Sequence, residues 1–589
     1  MSGAALACGI AVGAVAVGTL AAGSLGMRRA RTTGDFYVAS RSVSPRWNAA
    51  AIGGEYLSAA SFLGIAGLVL AFGLDVIWYP VCYTAGYLVL LALVAAPLRR
   101  SGAYTLPDFA QIRLGSAAVR AVASALVVLI GWLYLVPQLQ GAALALQTQT
   151  GAPRWLGGLV VCAVVVTAVV IGGMRSITFA QALQFWLKFL ALLVPALVLV
   201  GVWLHRGDDL GHGHPTAPRQ ITVTATSAET VRVPVPEQLT VSGVVDGHLA
   251  DGPVRLAAGE HRLAAGAHVT LRRGAVVPVV TSLPSQTTAS WLTPLGSGID
   301  HPLYASLSLI LAICLGTMGL PHVLVRFYTN PDGRDARRTT LVVLGLLSAF
   351  YVLPTVFGVL GRHYVPDLLM TGNTDATVLT LPERMLPGTG GVLLGALVTA
   401  GAFAAFLSTA SGLSVSVAGV LSQDFVRARD RRRNGSRQGR AGAARRRAGR
   451  IRTFRFAAVV AIGVPYVLSL PSERLGVAAA VGLAFAVAAS TFCPLLVLGL
   501  WWRRLTVPAA LAGLITGGSL ATAAVLVSIV GGREVGWWGA LLGQPAAWAV
   551  PLTFLVMVGV SRVTPGRVPR DVNRIMLRLH VPEELAAER

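Results

Sequence analysis

Two apolar stretches of the chain carry small and polar residues at their centres, where a membrane helix ordinarily carries leucine. Glycine weakens a helix, and unwound backbone inside a membrane persists only where it lines a cavity enclosed by protein. Carbonyl groups released by such a break can coordinate a small cation. The first stretch, residues 49–72, therefore predicts a broken helix with a binding site at its centre, which contains Gly53, Gly54, Glu55, Tyr56 and Ser58.

The second stretch, residues 392–424, carries two hydroxyl groups on one side of the predicted helix. Ala405, Ser408 and Thr409 are three and four residues apart, so they share a face. Both hydroxyls and the Ala405 carbonyl can then face one point, and oxygen ligands suit a hard cation. The alternative is that the hydroxyls bond to carbonyls of the preceding turn, as they commonly do in membrane helices.

Two charged residues lie inside predicted membrane spans, where a charge costs about 2.5 to 3.5 kcal/mol. Glu55 either attracts an ion or couples to a proton, or it pairs with a basic side chain near a helix end. Lys188 is the only lysine of the chain. It either attracts a carboxylate substrate or extends its ammonium group to the membrane interface.

The composition is that of a polytopic membrane protein. Hydrophobic residues make up 54% of the 589 residues and charged residues 12%, and about thirteen apolar stretches are long enough to span a bilayer. The net charge of +23 does not indicate a nucleic-acid partner, because much of it lies in loops. The segment Arg427 to Arg452 alone contains twelve arginines and one acid, which is typical of a loop that faces anionic lipids.

The basic residues also predict the orientation in the cell membrane, since short cytoplasmic loops are enriched in arginine. Every second predicted loop is basic, which places the N-terminus outside and the C-terminal tail in the cytoplasm. The first apolar stretch is interpreted as a span and not as a cleaved signal. No basic residue precedes it, and three follow it: Arg28, Arg29 and Arg31.

Residues 205–300, between the sixth and seventh spans, differ from the rest of the chain in composition. They are rich in valine and threonine, and glycine and proline interrupt them. Alternating β-branched runs predict short strands, for example Gln220 to Thr226, Thr230 to Val235 and His268 to Arg272. The topology places this β-rich or partly ordered insert outside the cell.

A second glycine-interrupted centre, Gly316 to Pro321, lies five spans after the first. Paired interruptions of this kind indicate inverted repeats with a central binding site, and Pro321 removes one backbone hydrogen bond. A short monocarboxylate needs a few donors and a tight apolar wall. The candidates near the breaks and on the fourth span are Tyr56, Ser58, Gln138, Gln140, Thr317, Met318, Gly319 and His322.

Three runs, Gly54 to Gly64, Gly316 to Thr329 and Ser408 to Asp424, resemble the sodium/solute symporter family and most closely its cation/acetate and monocarboxylate branch. The resemblance implies an all-α polytopic protein with the five-plus-five inverted repeat of the leucine transporter. The chain then divides into a first helix with its loop (1–47), the first repeat (48–204), the insert (205–300), the second repeat with basic loop 427–452 (301–500), two accessory helices (501–563) and a tail (564–589).

The resemblance also implies a sodium site and no other cofactor. Two positions lie on the first broken helix and three on the hydroxyl-bearing helix: Gly54, Leu57, Ala405, Ser408 and Thr409. The expected function is sodium-coupled uptake of a short-chain monocarboxylate such as acetate, propionate or pyruvate. The alternatives are proton-coupled symport of another small organic solute and an intramembrane enzyme. An enzyme would need a nucleophile, a metal cluster or paired carboxylates at one depth.

Overall fold

The computed structural model describes residues 3–27, 44–295, 300–330, 332–432, 440–471, 476–530 and 536–581. Arg28, Arg29 and Arg31 lie outside these ranges, and so do the side chains of residues 425–451, which include nearly all of the loop expected to face anionic lipids. Within the described part, twelve helical segments are long and apolar enough to cross a membrane. The expected thirteen become twelve because the second and third spans join in one segment, Ala60–Leu93.

The helices up to the insert are α1 (Gly3–Met27), α2 (Pro45–Tyr56), α3 (Ile65–Phe72), α4 (Trp78–Leu93), α5 (Ala95–Arg100), α6 (Leu106–Leu114), α7 (Ala117–Thr150) and α8 (Arg154–Arg206). Helix α8 contains two of the candidate spans, Arg154–Ile171 and Ser176–Arg206.

The later helices are α9 (Thr288–Trp291), α10 (Pro302–Thr317), α11 (Pro321–Phe327), α12 (Gly333–Tyr364), α13 (Leu368–Thr371), α14 (Thr377–Met385), α15 (Thr389–Arg432), α16 (Arg440–Ser469), α17 (Val477–Trp501), α18 (Val507–Val530), α19 (Gly536–Gly543), α20 (Ala546–Val563) and α21 (Val572–His580).

The first glycine-rich stretch forms a broken helix. Helix α2 ends at Tyr56, Leu57 and Ser58 leave the helical path, and a π-helical turn, Ala60–Gly64, leads into α3. The Leu57 amide still donates to the Gly53 carbonyl at 3.0 Å. The helical ladder stops there, so the Gly54 and Leu57 carbonyls lose their usual partners and point to other groups.

The second interrupted centre also breaks, between α10 and α11. Met318, Gly319 and Leu320 separate the two helices, and Pro321 begins the second one, where its missing amide hydrogen costs nothing. The two breaks are in direct contact. The Tyr56 hydroxyl lies 3.0 Å from the Thr317 hydroxyl and donates to the Tyr83 carbonyl at 3.2 Å. The two halves of the chain therefore meet at their irregular segments.

Close packing of α2 on α8 depends on Gly54. A Cβ atom at this position would collide with the backbone carbonyl of Gln181. The absent side chain lets α8 approach the break. Lys188 then reaches it, because Lys188 lies seven residues after Gln181 on the same face of α8.

The insert forms one antiparallel sheet of seven strands. The strands are β1 (Ile221–Thr224), β2 (Glu229–Val233), β3 (Glu237–Val245), β4 (His248–Leu256), β5 (Gly259–Leu263), β6 (His268–Leu271) and β7 (Val279–Val280), in the order β1-β6-β3-β5-β2-β7 with β4 paired to β3. Strands β1 and β6 fall within two of the predicted runs, and β2 overlaps the third but begins one residue before it.

The insert is attached to the helical bundle by hydrogen bonds at its C-terminal end. The Trp291 indole donates to the Val69 carbonyl at 2.8 Å and to the Leu70 carbonyl at 3.2 Å. Arg362 of α12 donates to the Gln286 carbonyl at 2.6 Å. These contacts join the insert to the end of the first broken helix and to α12.

A charged pair stabilises the turn between β3 and β4. The His261 ring contacts the Asp246 carboxylate at 2.7 Å through Nδ1 and the Ala257 carbonyl at 2.9 Å through Nε2. Both partners are acceptors, so the ring satisfies both only as an imidazolium. Burial opposes this charge, but the hydrogen bonds to Asp246 and Ala257 raise the pKa of His261 overall. The bonds from His261 and from the Arg262 amide lower the pKa of Asp246.

We expect this pair to stabilise the insert most between about pH 4 and pH 6.5, the ordinary values of the two groups. The His261 contribution is complete below its unfolded pKa and is lost as pH rises through its raised folded pKa. The Asp246 contribution is lost as pH falls through its lowered folded pKa. The Arg262 amide should therefore lose protection against hydrogen exchange, corrected for its intrinsic rate, between about pH 6 and about pH 8.

His261→Gln should remove this pH trend. The control is His268→Gln, which alters an exposed ring that bonds to the Thr224 hydroxyl at 2.9 Å. It should leave the trend unchanged. Equal protection at both pH values in the unaltered protein would contradict the assignment.

Candidate functional site

The break between α2 and α3 meets the hydroxyl-bearing face of α15, and Lys188 of α8 lies between them. The Lys188 ammonium donates to the Gly54 carbonyl, to the Leu57 carbonyl at 2.7 Å and to the Ser408 hydroxyl at 2.7 Å. Its side chain is 0% exposed, so it does not extend to the membrane interface. An ammonium group has three N–H donors and accepts no hydrogen bond. The Lys188 ammonium has three acceptor oxygens as partners.

The remaining predicted sodium ligands adjoin the same point and already have partners. The Ser408 hydroxyl donates to the Ala405 carbonyl at 3.0 Å, which is the preceding-turn bond that the sequence left open. The Thr409 hydroxyl donates across to the Glu55 carbonyl at 2.7 Å. We call these five residues, Gly54, Leu57, Ala405, Ser408 and Thr409, the break junction.

The oxygen atoms of the break junction suit a hard cation, but in this conformation the cation that they hold is the Lys188 ammonium. A sodium ion held by the same oxygens would lie about 4 Å from a second unit positive charge. At an effective dielectric constant of about 20, that repulsion is about 4 kcal/mol. Sodium and the Lys188 ammonium therefore exclude one another at this point.

A buried ion pair lies next to the junction. Arg326 of α11 donates to the Glu55 carboxylate at 2.6 Å, and both side chains are 1% exposed. The same guanidinium donates to the Thr178 hydroxyl at 2.6 Å and to the Gln181 amide oxygen. Glu55 thus has the basic partner that the sequence offered as one of its two interpretations. The pair joins the first broken helix to the second.

The chain leaves space for this pair at Gly412. A Cβ atom on Gly412 of α15 would overlap the Glu55 carboxylate. Gln181 completes the connection, because its amide nitrogen donates to the Ser408 carbonyl at 2.7 Å. The Glu55, Arg326 and Gln181 side chains therefore connect both broken helices to α8 and α15.

Aromatic side chains surround the two breaks on another side. The Tyr56 ring is 4.8 Å from the Tyr87 ring and 5.8 Å from the Tyr83 ring, measured between centroids. The His322 ring lies 5.1 Å from that of Tyr134. Phe485 of α17 links the two groups, with centroids 5.3 Å from Tyr83 and 5.9 Å from Tyr134. We call these residues, with Thr317, the aromatic cluster.

Several polar atoms of the aromatic cluster have no hydrogen-bond partner among the described residues. They are the Tyr83 and Tyr87 hydroxyls and both ring nitrogens of His322. All three side chains are buried. Buried donors without partners are costly, so this group is suited to a small polar solute.

The other predicted substrate residues occupy different surroundings. Ser58 and Met318 are buried at the two breaks. Gln138 accepts a hydrogen bond from the Ala59 amide at 2.8 Å and so supports the first break. Gly319 packs against the Ala488 backbone of α17.

Gln140 lies in a separate place from these residues. It lines a cavity of about 300 Å³ with Arg154, Trp155, Asp375 and Tyr466. The structure does not bring it to the aromatic cluster.

Sequence reasoning missed most of the aromatic cluster and the partner of Glu55. Tyr83 and Tyr87 are four residues apart on one face of an apolar span, which is a detectable signal. Arg326 lies in the run Gly316 to Thr329, which carries part of the family resemblance, but the sequence assigned it no role. Tyr134 and Phe485 carry no local signal, because only the tertiary packing brings them to the breaks.

Known proteins resemble this chain over most of its length. A model of the sodium:solute symporter family matches residues 36–517. The chain belongs to the sodium:solute symporter family. A monocarboxylic acid transporter of Corynebacterium glutamicum is 29% identical over 537 residues, which cover 88% of this chain and 85% of that protein. The uncharacterized symporter YwcA of Bacillus subtilis is 29% identical over 536 residues, covering 90% of this chain and 88% of the relative.

Solved structures show the same fold. A sodium-coupled sialic acid symporter matches with a TM-score of 0.62 at 13% identity, covering 95% of this chain and 98% of that one. The nucleobase-cation-symport-1 family transporter Mhp1 matches with a TM-score of 0.51 at 14% identity, covering 93% of this chain and 99% of that one. The predicted fold of the leucine-transporter type, with a small β-sheet insert, is confirmed. The protein is a multi-pass membrane symporter, and its family implies a solute and sodium as transported partners.

We expect Glu55→Gln to lower the thermal unfolding midpoint of the purified protein strongly, because it leaves the Arg326 guanidinium buried without its counter-charge. Loss of one member of a buried pair costs about 3 to 5 kcal/mol. The double variant Glu55→Gln with Arg326→Met removes the isolated charge and should recover part of this loss.

The matched control is Arg232→Ala, which breaks an ion pair with Glu260 in which the two side chains are 50% and 54% exposed. It should change the midpoint little. Equal losses from Glu55→Gln and Arg232→Ala would contradict the role given to the buried pair.

Proposed function

We propose that the protein takes up a short-chain monocarboxylate, such as acetate, propionate or pyruvate, by cation-coupled symport. The observation that carries the substrate class is the charge balance beside the breaks. Lys188 and Arg326 contribute two positive charges and Glu55 one negative charge, and all three side chains are buried. A carboxylate reduces the surplus positive charge, whereas a neutral or cationic solute does not.

The aromatic cluster supplies the contacts that a small carboxylate needs. The hydroxyls of Tyr83 and Tyr87 can donate to its two oxygens, and His322 adds a third polar group. Tyr56, Ser58, Thr317 and Met318 complete the wall. Gln138 acts through the break that it supports. The similarity to a monocarboxylic acid transporter over most of the chain supports the same substrate class.

Sodium is the coupling ion that the family implies. In the sodium-coupled form of this proposal, the ion binds at the break junction and holds the first broken helix against α15. A specific observation favours a second form, in which a proton drives uptake. The Lys188 ammonium occupies the junction in this structure, so sodium can enter only after it leaves.

In either form, ion and solute need only stabilise the same conformation, and no covalent chemistry is required. The family and the relatives are transporters, which points away from the intramembrane enzyme. We further propose that the N-terminus lies outside the cell and that the basic loop 427–452 contacts anionic lipids of the cytoplasmic leaflet.

Reconstituted protein should accumulate radiolabelled acetate against its concentration gradient when a cation gradient is imposed. A sodium gradient and a pH gradient are applied separately, so that the coupling ion is read directly. Absence of accumulation under both gradients would contradict the proposed function.

Tyr83→Phe and Tyr87→Phe should each weaken the apparent affinity for acetate by about tenfold or more, since a hydrogen bond to a charged group contributes about 1.5 to 3 kcal/mol. The control is Tyr304→Phe, which removes a hydroxyl that donates to the Gln544 carbonyl at 2.8 Å. Unchanged affinity in both Tyr83→Phe and Tyr87→Phe would remove the aromatic cluster from the substrate site.

A further inference from the structure

We propose that the Lys188 ammonium is itself the resident cation of the break junction, and that the junction binds no sodium while Lys188 is present. The inference rests on the proposed function, because it concerns how that transport is coupled. It disagrees with the expectation that the family's ion binds at this point.

The first support is that Lys188 uses the oxygens that a sodium ion would need. Gly54 and Leu57 supply the carbonyls released by the break, and Ser408 supplies the hydroxyl. The three donors of the ammonium match these three acceptors in number. The Ala405 carbonyl and the Thr409 hydroxyl are already bonded to Ser408 and to the Glu55 carbonyl.

The second support is the residue type. The chain has 48 lysine and arginine residues, and only position 188 is lysine. A guanidinium is a flat, wide group, whereas an ammonium is a compact point charge with rotatable donors. The only ammonium side chain of the sequence therefore lies where a compact cation is needed.

The third support is charge. Sodium beside an ammonium would bind about a thousandfold more weakly than sodium at the same oxygens without it, which corresponds to about 4 kcal/mol. Displacement of the ammonium would not remove the difficulty. Lys188 is fully buried, and its hydrogen bonds within the described chain are those three. Leaving them would strand a charge in the core.

Removal of the ammonium should turn the junction into a sodium site. In Lys188→Ala, the carbonyls of Gly54 and Leu57 and the hydroxyl of Ser408 lose their donor, which destabilises the protein. Sodium can then bind the same oxygens and restore the stability, because a ligand that binds only the folded state raises the unfolding midpoint.

The experiment measures thermal unfolding of the purified full-length protein in sodium chloride and in choline chloride at matched ionic strength. The unaltered protein should show the same midpoint in both salts. Lys188→Ala should have a lower midpoint in choline and a higher one in sodium, with a response at about a thousandfold lower sodium concentration than any response of the unaltered protein.

Two controls fix the location of the response. Lys188→Ala with Ser408→Ala and Thr409→Ala should lose it. Gln184→Ala should be destabilised without any sodium response, because Gln184 lies one turn earlier on α8 and donates instead to the Thr19 hydroxyl at 2.8 Å. If Lys188→Ala does not fold, Lys188→Met keeps the apolar stem and removes only the charge.

Sodium stabilisation of the unaltered protein that disappears in Ser408→Ala with Thr409→Ala would overturn the inference. Failure of both Lys188→Ala and Lys188→Met to respond to sodium would overturn it as well. No substrate is present in this measurement. Failure of acetate uptake therefore contradicts the proposed function separately from this result.

Discussion

The structure depends on one cation that holds an interrupted helix to its neighbour inside the membrane. A helix break in an apolar environment leaves carbonyls without partners, and each such group costs several kcal/mol. Lys188 satisfies two of these carbonyls and joins them to the Ser408 hydroxyl. Without that contact, the break would be less stable, and the Thr409 hydrogen bond to the Glu55 carbonyl would remain as a direct link between the first broken helix and α15.

The Glu55 and Arg326 pair is the counterpart of this contact on the second broken helix. Together the two contacts connect α2, α8, α11 and α15 through buried charges, which is unusual for membrane helices that otherwise associate by packing of small residues. A buried charge pair adds little net stability, but a member left without its partner is an uncompensated charge in the core, which costs about 3 to 5 kcal/mol. Buried contacts of this kind favour two discrete arrangements of the helices over a continuous range. A transporter that opens in turn to the two sides of the membrane requires such discrete arrangements.

Much of the architecture could be predicted from local sequence. The glycines before Tyr56 and the Gly316 to Pro321 segment identify both breaks, and β-branched runs identify part of the insert. The spacing of Ser408 and Thr409 identifies the face that meets the break. Each of these signals lies within a few residues, where helix periodicity and backbone freedom decide the outcome.

The sequence could not show which group fills the junction, because Leu57 and Lys188 are 131 residues apart and only the packing of α8 on Gly54 brings them together. The same limit applied to Glu55, whose partner is 271 residues away. Gln140 was assigned to the substrate site together with Gln138, as a residue of the fourth span. Two residues along a helix turn a side chain by more than half a circle, and it lines another cavity.

A further consequence follows from the fact that lysine occurs once in this chain. Reagents that acylate primary amines have a single side-chain target here, apart from the terminal amine, and burial protects it in this conformation. The rate of its modification is therefore a built-in reporter of how often the centre of the protein opens to water.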